Sequence, residues 1–435
     1  MEYKLSNYIY VLTDESLGIL FNGVTKKFLC VNKEELSKWV LLLNNYSYND
    51  DDDCKRNSYL QKFKDAGFLL PENVDEKLLV KETEEQYIKT SRYQTILIPT
   101  YNCNYSCWYC IQKHHSTIFT KYDMDKIEKH IVSYMLQNKI SGYDLCWFGG
   151  EPLMQKDIVV EMSAFLSDWC RKNHIPFNGQ MTTNGALLTE ELIGQLRDCN
   201  INHYQITLDG DREHHNRTKR EKGNESSFDV ILNNLRCLLQ LNRQATVVLR
   251  LNYNNEKLNE LGLVKELNAI LPATLRNRIF VDLQRIWQSA DESVDTQKLY
   301  HFLEEFSKNG YRLSTSGFFR PCYVEKQHFE TIYYNGKIDF CDNYAADKAR
   351  GVITDAGTVK WETIPQARLI RSKSGKECEE CVYSPVCTGE CLANRDKRLK
   401  KNEQFKCPNN MKKELEIKIL DYCFRNMLNA KYCEK

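Results

Sequence analysis

The sequence lacks a strong charge of either sign. Its 435 residues carry a formal net charge of +1 at pH 7, so the chain has no overall field that would attract nucleic acid or an anionic membrane. No uninterrupted apolar run reaches membrane-spanning length, and residues 1–4 lack the charged and then apolar pattern of a signal peptide. We therefore expect a cytoplasmic protein with no nucleic-acid partner and no membrane partner.

Cysteine, in contrast, is abundant. The chain has 18 cysteines, and a cytoplasmic chain of this kind is not expected to pair them in disulfides, because that compartment keeps thiols reduced. Some are explained by packing, since Cys170 and Cys199 continue apolar stripes at helical spacing. Ten others occur in clustered frames, and these require a different explanation.

The first cluster is a C-x3-C-x2-C frame formed by Cys103, Cys107 and Cys110. Three thiolates in this frame can each hold one iron of a cubane cluster, and the missing fourth ligand leaves one iron open to a small molecule. The alternative is a structural zinc knuckle. Zinc sites of that type close with four ligands, usually as two C-x2-C pairs, whereas only one such pair is present here. The frame therefore favours an iron–sulfur cluster.

Apolar runs and helical stretches alternate regularly between residues 93 and 305. The predicted strands are 95–99, 143–148, 177–183, 203–208, 246–253 and 279–286, and the predicted helices are 123–137, 156–171, 190–199, 227–241, 260–271 and 296–308. Buried strands separated by helix-length segments are typical of a parallel sheet covered by helices. The pattern predicts an α/β fold, a partial (β/α)6 TIM-like barrel, in which the loops after the strands build the active site.

Several distinctive residues follow these strands. Gly149, Gly150, Glu151 and Pro152 end the second strand, where two glycines allow the backbone to approach a ligand and the glutamate can accept a hydrogen bond from an amino group. Polar residues end the third, fourth and fifth strands: Thr182, Thr183, Asn184, Thr207, Asp209 and Asn252. Each of these signals alone is weak and fits a simple turn. Their shared position at one rim favours a binding site.

Residues 1–90 predict a winged-helix α+β domain. Three β-rich runs at 8–12, 18–21 and 27–31 precede helical stretches at 33–43 and 59–66 and a returning strand at 68–70. Two interpretations remain open at this point. The domain is either a cap on the larger domain or a peptide-docking module in which an extended segment adds to the edge of the sheet.

A second group of cysteines follows the barrel. Seven of them occur in this order: Cys322, Cys341, Cys378, Cys381, Cys387, Cys391 and Cys407. Pro385 and Gly389 place part of the group on loops, and packing alone does not explain the spacing. Residues 311–435 are therefore expected to form a loop-rich metal domain, with a zinc ribbon as the alternative to iron–sulfur clusters.

These motifs together resemble those of the radical S-adenosylmethionine (radical SAM) enzymes. In that family the C-x3-C-x2-C loop binds a [4Fe-4S] cluster, and Gly-Gly-Glu-Pro meets the amino group of S-adenosylmethionine. The resemblance covers residues 93–290 and implies that Cys103, Cys107 and Cys110 hold the cluster while S-adenosylmethionine takes the open iron. The residues it implies for cofactor binding are Tyr109, Gly149, Gly150, Glu151, Pro152, Thr183, Asn184, Thr207, Lys219, Arg220, Asn252 and Gln284.

The resemblance also implies the chemistry. A reduced cluster gives one electron to S-adenosylmethionine, and the resulting 5'-deoxyadenosyl radical takes a hydrogen atom from the substrate. Lys219 stands at the position of the family's usual arginine, with Arg220 as the alternative one residue later.

The cysteines after the barrel resemble those of the SPASM domain, which carries two auxiliary [4Fe-4S] clusters and would bring the total to three. The likeness assigns Cys378, Cys381, Cys387 and Cys407 to an outer cluster, and Cys322, Cys341 and Cys391 to an inner cluster. Maturases of anaerobic sulfatases have a further cysteine where this chain has Ser316, so we expect an open or non-cysteine fourth site on the inner cluster. Asp342 matches an aspartate that acts as a base in those maturases, although a loop aspartate that caps a turn would look the same.

The combined resemblances imply a maturase of ribosomally made precursor peptides. Its domains would be a winged-helix domain at 1–90, a radical SAM barrel at 91–310 and a SPASM domain at 311–435. The expected product is a thioether or a carbon–carbon or carbon–oxygen crosslink, and the expected reductant is flavodoxin or ferredoxin. One alternative is an anaerobic sulfatase-maturing enzyme that forms formylglycine. Another is a non-catalytic iron–sulfur electron carrier or zinc scaffold.

Overall fold

The computed structural model describes residues 2–13, 17–45, 58–110, 112–219, 227–259, 262–285, 294–364, 366–373, 375–408 and 411–433. None of the helices within these ranges is both long and apolar enough to cross a membrane. The chain divides into two compact units. The first combines residues 1–89, 316–325 and 366–424, and the second combines residues 90–315, 326–365 and 425–435. The three-part division at residues 90 and 310 stays a prediction.

Within its described residues, the amino-terminal segment contains two small antiparallel sheets and three helices. Its strands are β1 (Tyr3–Leu5), β2 (Ile9–Thr13), β3 (Leu17–Asn22), β4 (Phe28–Asn32) and β5 (Leu69–Pro71), and its helices are α1 (Lys33–Asn45), α2 (Ser58–Asp65) and α3 (Glu76–Ile88). Strands β2, β3 and β4 form the predicted three-stranded sheet, whereas β5 pairs with β1. Trp39, Phe63 and Phe68 fill the core of this segment.

The next segment alternates strands and helices as predicted. Its elements are β6 (Arg92–Ile98), α4 (Lys121–Gln137), β7 (Gly142–Trp147), α5 (Lys156–Lys172), β8 (Phe177–Thr183), α6 (Glu190–Asp198), β9 (Ile201–Leu208), α7 (Arg212–Thr218), α8 (Ser227–Leu241), β10 (Thr246–Tyr253), α9 (Gly262–Ile270), α10 (Ala273–Arg276), β11 (Ile279–Arg285) and α11 (Thr296–Lys308). Strands β6 to β11 pair in parallel and in chain order. Their sheet does not close on itself, which confirms the partial barrel.

Helix α8 shows why these segments become helices on the sheet. Its buried residues Ile231, Leu235 and Leu238 recur at spacings of four and three, so they form one apolar stripe. All three are fully buried. Burial of one such side chain contributes about 2 kcal/mol, and the stripe thereby fixes the helix against its neighbours.

The last segment extends the same sheet beyond its predicted limit. Its elements are β12 (Arg312–Leu313), β13 (Phe329–Tyr333), β14 (Lys337–Asp339), β15 (Gly351–Ile353), β16 (Val359–Trp361), α12 (Gln366–Leu369), α13 (Lys376–Glu379), α14 (Leu392–Lys400) and α15 (Met411–Tyr432). Strand β13 pairs in parallel with β6, and β14 to β16 follow as antiparallel strands. This extension places Cys341 just after β14 and within the unit that contains the barrel.

A buried polar cluster ties α4 to this extension. The carboxylate of Glu330 on β13 accepts hydrogen bonds from the Tyr93 hydroxyl and from Nε2 of His130, the latter at 3.0 Å. Nδ1 of His130 lies 3.0 Å from the carbonyl oxygen of Gly357. With both ring nitrogens beside oxygen atoms, the arrangement favours the imidazolium form, in which both nitrogens donate. Burial opposes that charge, but the hydrogen bond and the negative charge of Glu330 outweigh it and raise the pKa of His130.

We predict that His130→Asn lowers stability by about 3 kcal/mol, because it leaves a buried carboxylate without its cationic partner. The contribution of His130 is full below its unfolded pKa of about 6.5 and is lost as the pH rises through its raised pKa in the folded protein. Urea unfolding at several pH values measures both effects. His301→Gln, on the exposed side of α11, is the matched control. Equal unfolding midpoints for the wild type and His130→Asn at pH 6 would contradict the assignment.

Candidate active site

The cysteine loop leaves the carboxyl end of β6, where local hydrogen bonds hold its shape. The Thr100 hydroxyl accepts from the main-chain nitrogen of Asn102 at 2.9 Å, and the Asn102 side chain accepts from that of Cys103 at 3.1 Å. The sulfur of Cys103 in turn accepts from the main-chain nitrogen of Tyr105 at 3.4 Å. Tyr105 is buried and anchors the middle of the loop.

The three thiols differ in exposure. Cys103 and Cys107 are half-buried, whereas Cys110 is exposed. Burial raises the pKa of Cys103 and raises that of Cys107 to about 11, with smaller contributions from neighbouring thiols. In the absence of added positive charge these two side chains are therefore protonated at neutral pH, and bound iron would supply the charge that stabilises the thiolates.

A buried amide next to the loop also fits a cluster. Nδ2 of Asn104 is a hydrogen-bond donor with no partner among the described residues, and the neighbouring residue is Cys103. An acceptor such as a cluster sulfide would satisfy it. Within the described part of the chain, no three His, Cys, Asp or Glu side chains are grouped as ligands of a single metal ion.

The Gly-Gly-Glu segment after β7 packs directly on the cysteine loop. The main-chain nitrogen of Gly150 donates to the Thr100 carbonyl at 3.0 Å, and that of Glu151 donates to the Asn102 carbonyl at 2.9 Å. A Cβ atom on Gly150 would lie 2.3 Å from the Asn102 carbonyl oxygen, and one on Gly149 would lie 2.6 Å from that of Thr100. The sequence predicts that these glycines allow the backbone to come close to a ligand. The structure shows that they permit the approach of the cysteine loop.

The Glu151 carboxylate connects this segment to the third strand. It is fully buried, and it accepts hydrogen bonds from the Thr183 hydroxyl at 2.7 Å and from the main-chain nitrogen of Asn184 at 2.7 Å. The Asn184 side chain donates to Oδ1 of Asn104 at 2.7 Å. Burial raises the pKa of Glu151 despite these hydrogen bonds. Glu151 therefore joins three strand ends, since its main-chain nitrogen binds the loop after β6 and its carboxylate binds the end of β8. Pro152 follows it at the start of a short helical turn.

Tyr109 is held by a residue to which sequence analysis gave no individual role. Its hydroxyl donates to both carboxylate oxygens of Asp209, at 2.8 Å each. Asn252 donates to the same carboxylate at 3.0 Å, and Asp209 is fully buried. Asp209 thus joins the cysteine loop to the ends of β9 and β10. Its only signal in the sequence was a position at the end of a predicted strand.

The loop after β9 is fixed by a lysine and a histidine. Nζ of Lys219 donates to the carbonyl of Thr207 at 2.5 Å. Nδ1 of His215 accepts from the main-chain nitrogen of Asp209 at 3.2 Å, which requires a neutral ring. Burial, together with the charges of Lys219 and Lys257, lowers the pKa of His215 well below its ordinary value. His215 is therefore a buried, neutral residue that supports the main chain at the end of β9.

Gln284, another predicted cofactor residue, is the register partner of Asn252 in the sheet but does not bond to Asp209. The Gln284 amide is exposed on β11 and donates to the carboxylate of Asp282 at 3.0 Å. Arg220 lies outside the described residues. The structure therefore brings together the cysteine loop, Tyr109, Glu151, Thr183, Asn184 and Asn252, while the roles of all these residues in cofactor binding stay predictions.

Four of the cysteines after the barrel lie near enough to one another to interact electrostatically. The thiols of Cys378, Cys381, Cys387 and Cys407 act on one another electrostatically, and together with burial, the larger effect, they raise the pKa values of Cys378 and Cys407. All four belong to the first unit. No disulfide joins any pair of cysteines within the described residues.

The predicted inner group is divided between the two units. Cys322 and Cys391 belong to the first unit, and Cys341 belongs to the second, so their joint role stays a prediction. Asp342 lies near the first two barrel strands. Burial and, secondly, the negative charge of Asp342 raise the pKa of Cys146 on β7 to about 12.

Residues 97–264 match the model of the Radical SAM superfamily. The chain contains a radical SAM domain. It is 22% identical over 351 residues to the serine-type anaerobic sulfatase-maturating enzyme of Bacteroides thetaiotaomicron, an alignment that covers 68% of this chain and 81% of the relative.

Solved structures share the fold of this chain. Native anSMEcpe with bound AdoMet has a TM-score of 0.54 and 15% identity, covering 78% of this chain and 98% of that chain. Its complex with AdoMet and the Cp18Cys peptide has a TM-score of 0.53 and 16% identity, with the same coverage of both chains. These findings confirm the resemblance expected from the motifs.

We predict that Gly150→Ala displaces the cysteine loop, because the added Cβ would overlap the Asn102 carbonyl. Such overpacking costs about 1–3 kcal/mol, and the expected result is loss of the iron held by Cys103, Cys107 and Cys110. Iron content after anaerobic reconstitution measures it. Gly194→Ala is the matched control, since a Cβ on Gly194 would meet no atom within 4 Å. Full iron content in Gly150→Ala would show that the close packing does not position the loop.

Proposed function

We propose that the chain is a peptide maturase that uses radical SAM chemistry to install a crosslink in a ribosomally made precursor peptide. The crosslink is a thioether or a carbon–carbon or carbon–oxygen bond. One observation carries the proposal. The braced three-cysteine loop at the end of β6 occurs in the same chain as a separate group of four interacting thiols, Cys378, Cys381, Cys387 and Cys407.

In this proposal the braced loop is the reaction centre. Bound together, the cluster and S-adenosylmethionine supply a one-electron reduction that yields a hydrogen-abstracting radical. Cys103, Cys107 and Cys110 hold the cluster. Tyr109, fixed by its two hydrogen bonds to Asp209, and Asn252 line the adjoining rim, where they orient the cofactor. Orientation is the main task of these residues, because a carbon radical reacts with almost any C–H bond within reach.

The four-thiol group is the reason for preferring bond formation. After hydrogen abstraction the substrate must lose one further electron before a new bond is complete. An auxiliary cluster at Cys378, Cys381, Cys387 and Cys407 would accept that electron. Cys322, Cys341 and Cys391 would hold a second auxiliary cluster, giving three in total. Its open site would bind a substrate thiolate, as formation of a thioether requires.

The peptide substrate is inferred from relatives. One relative is named as a sulfatase-maturating enzyme, and one structure with the same fold contains the Cp18Cys peptide. Both names refer to a protein or peptide substrate. A precursor peptide therefore suits this chain better than a small metabolite, with the amino-terminal domain as its candidate docking site and a flavodoxin or ferredoxin as the reductant.

A second candidate is oxidation of a serine or cysteine to formylglycine in a sulfatase. Two observations favour it, namely the sulfatase-maturating relative and the position of Asp342. The raised pKa of Tyr101, which begins the cysteine loop, is due mainly to burial, and Asp342 makes a smaller contribution than Tyr334 and Asp347. A base at this place would lie near the reaction centre. Ser316 and the amino-terminal domain count against this reaction.

We predict that simultaneous replacement of Cys103, Cys107 and Cys110 by Ala abolishes release of 5'-deoxyadenosine, because no thiolate then holds the reactive cluster. Iron bound by the other cysteines should remain. Chromatography of the products after incubation with S-adenosylmethionine and dithionite measures the release. Cys237→Ala, a half-buried cysteine on α8, is the control and should retain activity. Undiminished release in the triple variant would remove this loop from the reaction.

We predict that the reduced enzyme modifies the short peptide encoded beside its gene and leaves a sulfatase-motif peptide unchanged. Formation of a crosslink lowers the peptide mass by two hydrogen atoms without loss of other atoms, and tandem mass spectrometry locates the new bond. Omission of S-adenosylmethionine is the control. Formylglycine in the sulfatase peptide, with no change in the precursor peptide, would favour the second candidate instead.

A further inference from the structure

The amino-terminal segment contacts the loop between two of the outer cysteines, and both belong to the first unit. The Tyr10 hydroxyl on β2 donates to the Val382 carbonyl at 2.5 Å. Nζ of Lys26 donates to the Pro385 carbonyl at 2.6 Å. Both carbonyl groups lie between Cys381 and Cys387. The amino-terminal segment is therefore part of the immediate surroundings of the outer thiols.

Lys26 is placed there by the hairpin between β3 and β4. Its backbone has φ = 59°, in the left-handed region, and its main-chain nitrogen donates to the Asn22 carbonyl at 2.9 Å. Asn22 is fully buried, and its Oδ1 accepts from the main-chain nitrogens of Val24 and Thr25 at 2.8 and 2.9 Å. The turn is thus internally bonded, and it directs the Lys26 side chain toward the cysteine loop.

The Lys26 ammonium is a half-buried cation without an anionic partner. Among the described residues no carboxylate lies within salt-bridge distance of it, and its ammonium donates to two carbonyl groups, those of Gly23 and Pro385. It lies 5.2 Å from the centre of the Phe319 ring. Burial and the nearby charge of Lys373 lower the pKa of Lys26 to about 7. A buried cation in this position is costly unless an anion accompanies it.

A second cation approaches the same place from α15. Nζ of Lys418 lies 5.8 Å from the centre of the same Phe319 ring. Burial lowers the pKa of Lys418, and the Cys387 thiol partly opposes that effect. Two ammonium groups therefore approach one aromatic ring beside the segment that runs from Cys381 to Cys387. The negative charges of Glu84 and Asp421 offset the lowered pKa values of Lys26 and Lys418, respectively, only in part. A cluster held by four thiolates would add net negative charge beside both ammonium groups.

We propose that Lys26 and Lys418 are the counter-charges of the outer auxiliary cluster, so that the amino-terminal domain completes the site of that cluster. The inference rests on the proposed function for the presence of the cluster. Positive charge next to an iron–sulfur cluster stabilises its more negative, reduced form and raises its reduction potential. The amino-terminal domain would thereby make the outer cluster a better electron acceptor.

The test uses the full chain with Cys103, Cys107 and Cys110 replaced by Ala, so that only auxiliary clusters contribute signals. Lys26→Met and Lys418→Met remove one positive charge each while keeping an unbranched side chain of similar size, and a double variant removes both. Lys26→Arg retains the charge. Lys27→Met is the matched control, because Lys27 is the next residue, is exposed and donates to the Asp65 carbonyl instead. Iron and sulfide per chain and the midpoint potentials, followed by electron paramagnetic resonance, are measured for each variant.

The signal of the outer cluster is identified as the one that Cys378→Ser removes. We expect its potential to fall in Lys26→Met and in Lys418→Met and to fall further in the double variant. Lys26→Arg and Lys27→Met should leave it unchanged, and the inner cluster should serve as an unshifted internal reference. Loss of outer-cluster iron in Lys26→Met that Lys26→Arg restores would support the same role. Full iron content with an unchanged potential in both Met variants would overturn it.

If both Lys26 variants lose iron, the potential of the outer cluster in Lys418→Met tests the counter-charge role instead, because Lys418 lies outside the amino-terminal domain. An unchanged potential in that variant would then overturn the role.

Failure of the proposed function gives a different result. The proposed function fails if the chain with all its cysteines releases no 5'-deoxyadenosine, whatever the potentials are. If the parent protein contains no iron that Cys378→Ser removes, the outer cluster does not exist, and the counter-charge role is overturned with it.

Discussion

Two main-chain hydrogen bonds, from Gly150 to Thr100 and from Glu151 to Asn102, fix the cysteine loop against the second strand. The rest of the site depends on them. With its backbone held there, Glu151 points its carboxylate into the protein and binds Thr183 and the main chain of Asn184. The ends of three strands thereby become one rigid support. A residue with a side chain cannot replace Gly150 in this contact, because its Cβ atom would overlap the cysteine loop that Gly150 supports.

Much of the barrel could be predicted because buried parallel strands leave a simple record in the sequence. Strands β6 to β11 all bury apolar residues, and helices such as α8 carry apolar stripes. The extension at β14 to β16 left no such record, since each of these strands has only three residues. The pairing of Phe329 with Gln94 joins residues that are distant in sequence, and periodicity carries no information about such contacts.

Residues of the site were predictable where the chemistry requires a fixed spacing in the sequence. They were not predictable where the role of a residue depends on whether its side chain is buried. The frame of Cys103, Cys107 and Cys110 has few other uses, so the sequence alone identified it. Asp209 is the opposite case, because an aspartate after a strand looks the same whether it caps a turn or lies fully buried under Tyr109. The close contact of the two glycines with the cysteine loop could not be predicted, since only coordinates show it, and their approach to a ligand stays a prediction.

The two interpretations of the amino-terminal domain need not compete, because they use different groups. Its contacts with the outer cysteine loop come from a side chain of β2 and from the β3–β4 turn, through Tyr10 and Lys26. Docking of a peptide by strand addition would instead use the main chain at an edge of the sheet, whose order is β2-β3-β4 within the described residues. A peptide added at an edge would therefore bind the same small domain that contacts the proposed electron acceptor. Strand addition would therefore leave the contacts of Tyr10 and Lys26 with the outer cysteine loop in place.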